Sequence, residues 1–429
     1  METKRFKLIA LFAAIIGMGI FSLPTFAAEA IKIGASLPLT GGFAIAGQKH
    51  KAGYDLCVEI VNKNGGLLGR QVELIVSDNR SDTETSIAQL ERFISVDKVD
   101  LLFGTFSSKL TFPTSSITEK AGMVYPIPSG GALRIWERGY KNIFYFQVNA
   151  AEYIGNSPMD MLNDLVKKAD HPKTAAVVHA DDFFSNAIAA GLIGRDVKIP
   201  GSDKVVTLAP GSLKKVGIEL KFTQQWPEEG FSDWVNLANS IKASGAELVI
   251  GLTASPDETI QLVRAMQTVN YQPKMVYLSQ GTQDEFKQAV GTAANGILMH
   301  SAWHPKADWS GVLAGKKFSN KDFQAAFKAK YNRDADEDEA IPFAVCQGME
   351  QAVRATKSTD NGKLREWLSS RTKSDPVKTI LGNFNWDKRG LPVDRPFLLL
   401  QWQDGNLNFV YPTDEFPGTS KLIWPKPKW

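Results

Sequence analysis

The stretch "IKIGASLPLTGGFAIAGQKHK", residues 31 to 51, decides how the rest of the chain is to be read. An apolar, β-prone run leads into a glycine-bearing turn and then into a helical pattern, the opening unit of a parallel α/β sheet. The turn shares features with a phosphate-binding loop, because Gly42 and Gly47 frame four residues and a lysine lies close behind. That loop needs its lysine directly after the second glycine and a hydroxyl residue next, to hold magnesium. Here Gln48 takes the lysine's place, Lys49 comes late and His50 stands where the hydroxyl belongs. Two readings remain for the stretch alone: a connection with no ligand, and a loop whose backbone faces a small molecule.

Ahead of it, Lys4, Arg5 and Lys7 precede an apolar run from Leu8 to Leu23, then Pro24 and the small residues Ala27, Ala28 and Ala30. That is the pattern of a secretory signal peptide over residues 1–28, cut after Ala27 or Ala28. No cysteine lies near the cut to carry a lipid. Cleavage after Ala28 removes three cations and one acid, so the formal charge falls from +3 to +1. A near-neutral chain is a poor nucleic-acid binder. The remaining length, out of 429 residues, predicts two or three domains. Cys57 and Cys346 are the only cysteines, which excludes a disulfide scaffold. Both sit in helix-like segments among apolar neighbours, which favours two buried thiols, with a bridge as the alternative.

Beyond residue 31, strand patterns alternate with amphipathic helices, as in doubly wound parallel sheets. Strands are expected at 31–39, 71–78, 100–106 and 123–129, with helices near 47–63, 84–96 and 110–121. A second series has strands at 174–180, 219–226, 247–253 and 275–280, with helices capped by Ser232 and by Ser255. The two series imply two α/β lobes, linked by the stiff run "IFYFQVNAAEY" at 143–153. The tail carries a hairpin turn at "DGN".

The specific catalytic and zinc signatures are absent from the sequence. His300 and His304 are four apart, but Pro305 argues against a shared helical face for a metal. "DADEDEA", 334–340, begins like a calcium loop, yet Glu339 replaces the required glycine and Val345 the bidentate acid, so it reads as a solvated acidic surface. Ligands of open α/β sheets bind outside the carboxyl ends of the strands. At those strand ends stand "TGGFAIAG", "FSSKL", "PSGG", "ADDFF", "TASPD" and "SQGT". These glycines, hydroxyls, amides and aromatics suit hydrogen-bonding to a small organic molecule rather than proton transfer.

The residues resemble the type I periplasmic solute-binding proteins of ABC importers, in the leucine/isoleucine/valine-binding-like branch for amino acids and amides. The resemblance is carried by "IKIGASLPLTGGFAIAG", "NGGLLGRQVELIVSDNRSD", "FGTFSS", "GMVYPIPSGG" and "VVHADDFFSNA", and runs from Ile31 to the C-terminal "WP". It implies a two-lobed fold with a three-segment hinge: residues 29–149 plus 300–389 in one lobe, 150–299 plus 390–429 in the other. It also implies a periplasmic, monomeric, non-enzymatic protein without cofactor or metal. Such a protein closes on a small amino acid, amide or aromatic carboxylate and presents it to the ABC permease subunits of the inner membrane.

By the same resemblance, the ligand-binding positions are Ala46, Ser107, Ser108, Ser129, Gly130, Gly131, Phe184, Thr253, Gln280 and Gly281. Gly42 and Gly47 then turn the chain so that the backbone at 44–46 faces the ligand, Ala46 leaves room for a larger one, and Lys49 points to solvent. Relatives that bind amino acids commonly carry an acid where this chain has Gln280. Either Asp181 or Asp182 supplies the charge, or the ligand lacks a cation, which favours carboxylates and amides. Two other functions fit the sequence less well. One is a sensor feeding a membrane receptor; the other is an exported hydrolase with Ser107 or Ser108 as nucleophile, which has no evident histidine partner.

Overall fold

The computed structural model describes residues 29–429, so the expected signal peptide lies outside the described residues. The first sheet opens with β1 (Ile31–Leu37), flanked in parallel by β2 (Val72–Asp78) and β3 (Leu101–Phe103), and is followed by the parallel pair β4 (Tyr125–Ile127) and β5 (Ile143–Tyr145). Helices α1 (Ala44–Lys63), α2 (Thr83–Ser95), α3 (Ser108–Ala121) and the short α4 (Leu133–Trp136) connect these strands. After α5 (Asn156–Leu165) a seven-stranded sheet begins with β6 (Thr174–Ala180), followed by α6 (Phe183–Ile193), the small hairpin of β7 (Val197–Lys198) and β8 (Val205–Val206), and α7 (Ser212–Lys215). It continues with β9 (Glu219–Trp226), α8 (Trp234–Ala243), β10 (Leu248–Leu252), α9 (Pro256–Thr268), β11 (Met275–Leu278), α10 (Asp284–Val290) and β12 (Leu298–Ser301).

The chain then leaves this sheet for two hairpins, β13 (Ser310–Leu313) with β14 (Lys316–Ser319) and β15 (Val377–Thr379) with β16 (Gly382–Phe384). Between them run α11 (Asn320–Tyr331), α12 (Glu337–Thr356) and α13 (Asn361–Ser369), and α12 packs along α1 beside the first sheet. It returns with β17 (Leu398–Gln403) and β18 (Asn406–Tyr411), giving the order β18-β17-β12-β11-β10-β6-β9. Asp404 and Gly405 both adopt positive φ, which matches the strand twist in the tight turn anticipated at "DGN". β12 runs on to Ser301 within the seven-stranded sheet, where it pairs with β17.

Several local expectations change. β3 and β4 are only three residues each, because the chain turns aside into the loops at 104–107 and 128–132. Asp233, not Ser232, holds the N-cap position of α8, where its carboxylate accepts from the Asn236 side chain. Ser255 does cap α9 by position, with Pro256 in the first turn, but its hydroxyl makes no capping bond. Cys57 and Cys346 are bridged rather than free, with S–S 2.08 Å and Cα–Cα 6.2 Å. Their apolar surroundings are as expected, but the sequence could not show that positions 289 residues apart face each other on α1 and α12. These two helices meet backbone to backbone at Gly53, where a Cβ would stand 2.2 Å from the Glu339 carbonyl oxygen.

Candidate functional site

The loop after β1 is fastened by the end of β2: Asp78 accepts from Leu39 N at 2.9 Å, from Thr40 N at 3.2 Å and from the Thr40 hydroxyl at 2.8 Å. The turning glycine is Gly41, at φ +84°, rather than Gly42 or Gly47. Gly47 lies within α1, where a Cβ would stand 2.0 Å from the Pro38 carbonyl oxygen, so glycine is needed for close approach. Lys49, expected in solvent, is only 8% exposed. Its Nζ lies 2.5 Å from Asp336 and 3.3 Å from Glu285 of α10.

A partly open cavity of about 60 Å³ lies where strand ends of both sheets converge. By the same measure a water needs about 10–15 Å³, so the space suits a small solute. The first sheet's loops contribute Phe106, Ser107, Ser108, Ser129, Gly130, Tyr145 and Gln147. Phe184, Ala254, Ser279, Gln280 and His300 come from the second side, and Glu337, Asp338 and Ile341 from α12.

Six of the ten positions expected to bind ligand therefore line one cavity: Ser107, Ser108, Ser129, Gly130, Phe184 and Gln280. Ala46 stands behind the wall, packed with Phe43, Phe106, Leu110 and Ala254. Thr253 is turned to its own loop, its hydroxyl bonded to Glu258 and to Ser255 N. Gly131 backs onto Tyr145 and Ala151, and Gly281 onto Met299 and Phe286, so neither faces the space. The carbonyls of Ser129, Gly130 and Gly131 accept from Thr111 Oγ1, Trp136 Nε1 and Ala151 N. In trans peptides this directs the following N–H groups the other way.

The acids expected beside the pocket are elsewhere. Asp182 caps α6, accepting from Phe184 N, Ser185 N and the Ser185 hydroxyl, and burial pushes it up to about 6. Asp181 is exposed and accepts from Asn186 and Gln225. The carboxyl groups that line the cavity are Glu337 and Asp338, inside the segment read as solvated surface. That reading is overturned beyond the exposed Asp334: Asp336 and Glu339 form a capping box that starts α12, Asp336 and Glu337 are half-buried, and Asp338 and Glu339 are buried. Glu337 accepts from the Thr282 hydroxyl at 2.9 Å, the Ser301 hydroxyl at 2.7 Å and Ala302 N at 3.1 Å. Burial and the neighbouring Asp338 charge hold its carboxyl well above the usual range. Beyond Glu337 lies a wider groove of about 600 Å³, which Lys49 also lines.

Among the described residues no histidine is hydrogen-bonded to Ser107 or Ser108, although His300 lines the same cavity. His50 Nε2 instead meets Ser129 Oγ at 3.1 Å, its Nδ1 is buried without a partner, and burial lowers the ring to about 4. His300 Nδ1 meets Tyr277 Oη at 2.8 Å. Among the described residues no cluster of potential metal ligands occurs, and no helix is long and apolar enough to cross a membrane.

Two parallel-rich sheets with a cavity at their strand ends, walled by both and by a helix between them, define the periplasmic binding protein type I fold. The sequence profile described as periplasmic binding protein matches residues 30–406, and the chain belongs to that family. An amino acid binding protein of Pseudomonas aeruginosa is 25% identical over 394 residues, covering 90% of this chain and 93% of that one. Among solved structures, the branched-chain amino acid transporter substrate-binding protein of Streptococcus pneumoniae, in complex with isoleucine, superposes with a TM-score of 0.73 at 18% identity, covering 88% of this chain and 97% of that one. A solute-binding protein of an ABC transporter from R. palustris, in complex with benzoate, gives 0.71 at 18% identity, with 89% and 95% covered.

Proposed function

We propose that the chain is the periplasmic substrate-binding component of an ABC importer, which closes two lobes on a small carboxylate-bearing solute and delivers it to the membrane permease. The lobes correspond to residues 29–149 plus about 302–389, and 150–301 plus 390–429. The observation that carries this reading is the cavity, whose wall is built from both sheets and from α12. Ser107 and Ser108 stand at the start of α3, where unpaired N–H groups and the helix dipole favour an anion. The Ser107 hydroxyl makes no capping bond, and the Gly130 amide is directed away from the carbonyl partners of its turn. These groups suit a carboxylate, while Phe106, Phe184, Ile154, Ile341 and Phe397 supply an apolar wall for the rest of the molecule.

Cross-lobe contacts support a ligand-stabilised closed form. Lys109 of α3 meets Glu228, after β9, at 2.9 Å, and the Phe112 and Phe183 rings pack at a tilt with centroids 5.0 Å apart. A ligand bridging both sides shifts the population toward this form. The test is thermal shift with small-angle scattering across amino acids, amides and carboxylates, beside native mass spectrometry of protein purified without denaturation. The expected result is a solute that raises the melting temperature and compacts the particle; no retained solute and no response to any of the panel would refute it.

A further inference from the structure

Among the described residues, every arginine but two makes a hydrogen bond or an ion pair through its guanidinium. The two are Arg134, in α4 beside the first sheet, and Arg195, directly after α6 beside the seven-stranded sheet. Exposure does not by itself explain this, because Arg80, Arg92 and Arg264 are exposed too and each has a partner. Arg134 and Arg195 line one pocket of about 230 Å³, and no residue of the strand-end cavity lines it. The space exceeds many times the roughly 10–15 Å³ that a water needs, so it has room for a small molecule.

Both arginines have fixed mounts. Gly194 ends α6 at φ +87°, where an added Cβ would stand 2.5 Å from Gly211 N, and Arg195 N then donates to Ala190 O at 2.9 Å. The backbone of Arg195 is thus set by a left-handed cap that needs glycine. The Arg134 guanidinium lies over the Phe183 ring, 5.8 Å from its centroid, and α4 packs against β7.

The acids on the same wall do not answer the two charges. Neither Asp196 nor Glu152 forms an ion pair with either arginine. Glu152, 3% exposed, takes Leu133 N on both oxygens, and burial, opposed by the charge of Arg134, raises its carboxyl to about 7. Two like charges facing one space repel each other, and an anion between them relieves the repulsion. Each guanidinium is a fork that donates two parallel hydrogen bonds to an oxyanion. A carboxylate has oxygens for one such fork. A phosphate group has oxygens for two, and its charge near −2 matches the pair.

We infer that the pocket holding Arg134 and Arg195 is a second binding site, for a small solute that bears a phosphate group, with the two guanidiniums as its donors. Phe183 and Val197 supply an apolar flank for the rest of that solute.

Inorganic phosphate is the probe, titrated calorimetrically into the mature protein beside acetate, in a phosphate-free buffer with about 0.15 M salt to screen diffuse surface attraction. Saturable binding is expected for phosphate and not for acetate. Arg134→Gln and Arg195→Gln are each expected to weaken it by about 10-fold or more, the scale of a lost hydrogen bond to a charged group. Lys198→Gln removes an exposed cation of β7 that does not line the pocket, and should leave the affinity within about 2-fold. Thermal melts check that each variant keeps its fold, and the comparison of phosphate with acetate on the unaltered protein stands even where one does not. No saturable phosphate binding overturns the inference, as does acetate binding equally tightly. An affinity untouched in either folded arginine variant, or lowered as much by Lys198→Gln, overturns it too. The strand-end cavity shares no residue with this pocket, so the proposed function stands or falls separately.

Discussion

Replacing both Cys57 and Cys346 by alanine removes the bridge between α1 and α12. The closed loop spans 289 residues, for which the chain-entropy relation gives about 19 cal/mol/K, or roughly 5.7 kcal/mol at 25 °C. Measured disulfides reach at most about 5 kcal/mol, because unfolded chains keep some structure, so a loss of about 3–5 kcal/mol is expected. A chain of about 400 residues unfolds with an entropy near 0.85 kcal/mol/K, which turns that loss into about 4–6 °C of melting temperature. Circular-dichroism melts of the oxidised protein, the reduced protein and the double variant provide the measurement, with thiol titration of the unfolded, non-reduced chain beside them. Two titratable thiols in that chain, or a double variant melting within about 1 °C of the parent, would refute the reasoning.

Gly53→Ala places a methyl 2.2 Å from the Glu339 carbonyl oxygen, so α1 and α12 must part. A stability loss of at least about 2 kcal/mol in urea titration is expected, and an unchanged midpoint would count against the packing described. The buried Glu152 carboxyl, which accepts from Leu133 N, is pushed up to about 7 from 4.5, chiefly by burial. The folded state therefore holds a proton that the unfolded state releases, and stability falls as pH rises from about 4.5 to 7. Glu152→Gln should flatten that fall by about 2–3 kcal/mol in unfolding curves at pH 5 and 7.5; an unaltered slope would remove Glu152 as its source.

Elements whose signal is local were legible in the sequence. Residues 174–180 and 219–226 form β6 and β9 with the expected bounds, since each is a continuous apolar or alternating run closed by polar residues. Ser107, Ser108, Ser129 and Gly130 come together on one cavity because they lie in the loops that follow strands, where such sheets bind ligands. Gln147, His300 and Phe397 also line that cavity, and carry no local sequence signal for it, because their place depends on how the two sheets face each other. Ala46, Thr253, Gly131 and Gly281 are not among the residues lining the cavity, which loop position alone does not tell. The largest error concerned residues 334–340. Their charge suggested water, whereas the spacing of Asp336 and Glu339 ahead of an apolar run was a capping-box signal for a helix start. Lys49, judged a solvent residue, was the other half of that signal: a cation inside the fold implies an acid near it.

The pairing of α1 with α12 also bears on the order in which the molecule comes into being. One wall of the cavity, from Phe106 to Ile154, emerges in the first half of the chain, whereas Glu337, Asp338 and Phe397 emerge last. A nascent or truncated chain that stops short of α12 has strands and a core but no finished pocket. Contacts this distant in sequence also form slowly. The capacity to bind is therefore the final property the polypeptide acquires, and an incompletely synthesised copy has no complete cavity with which to compete for solute.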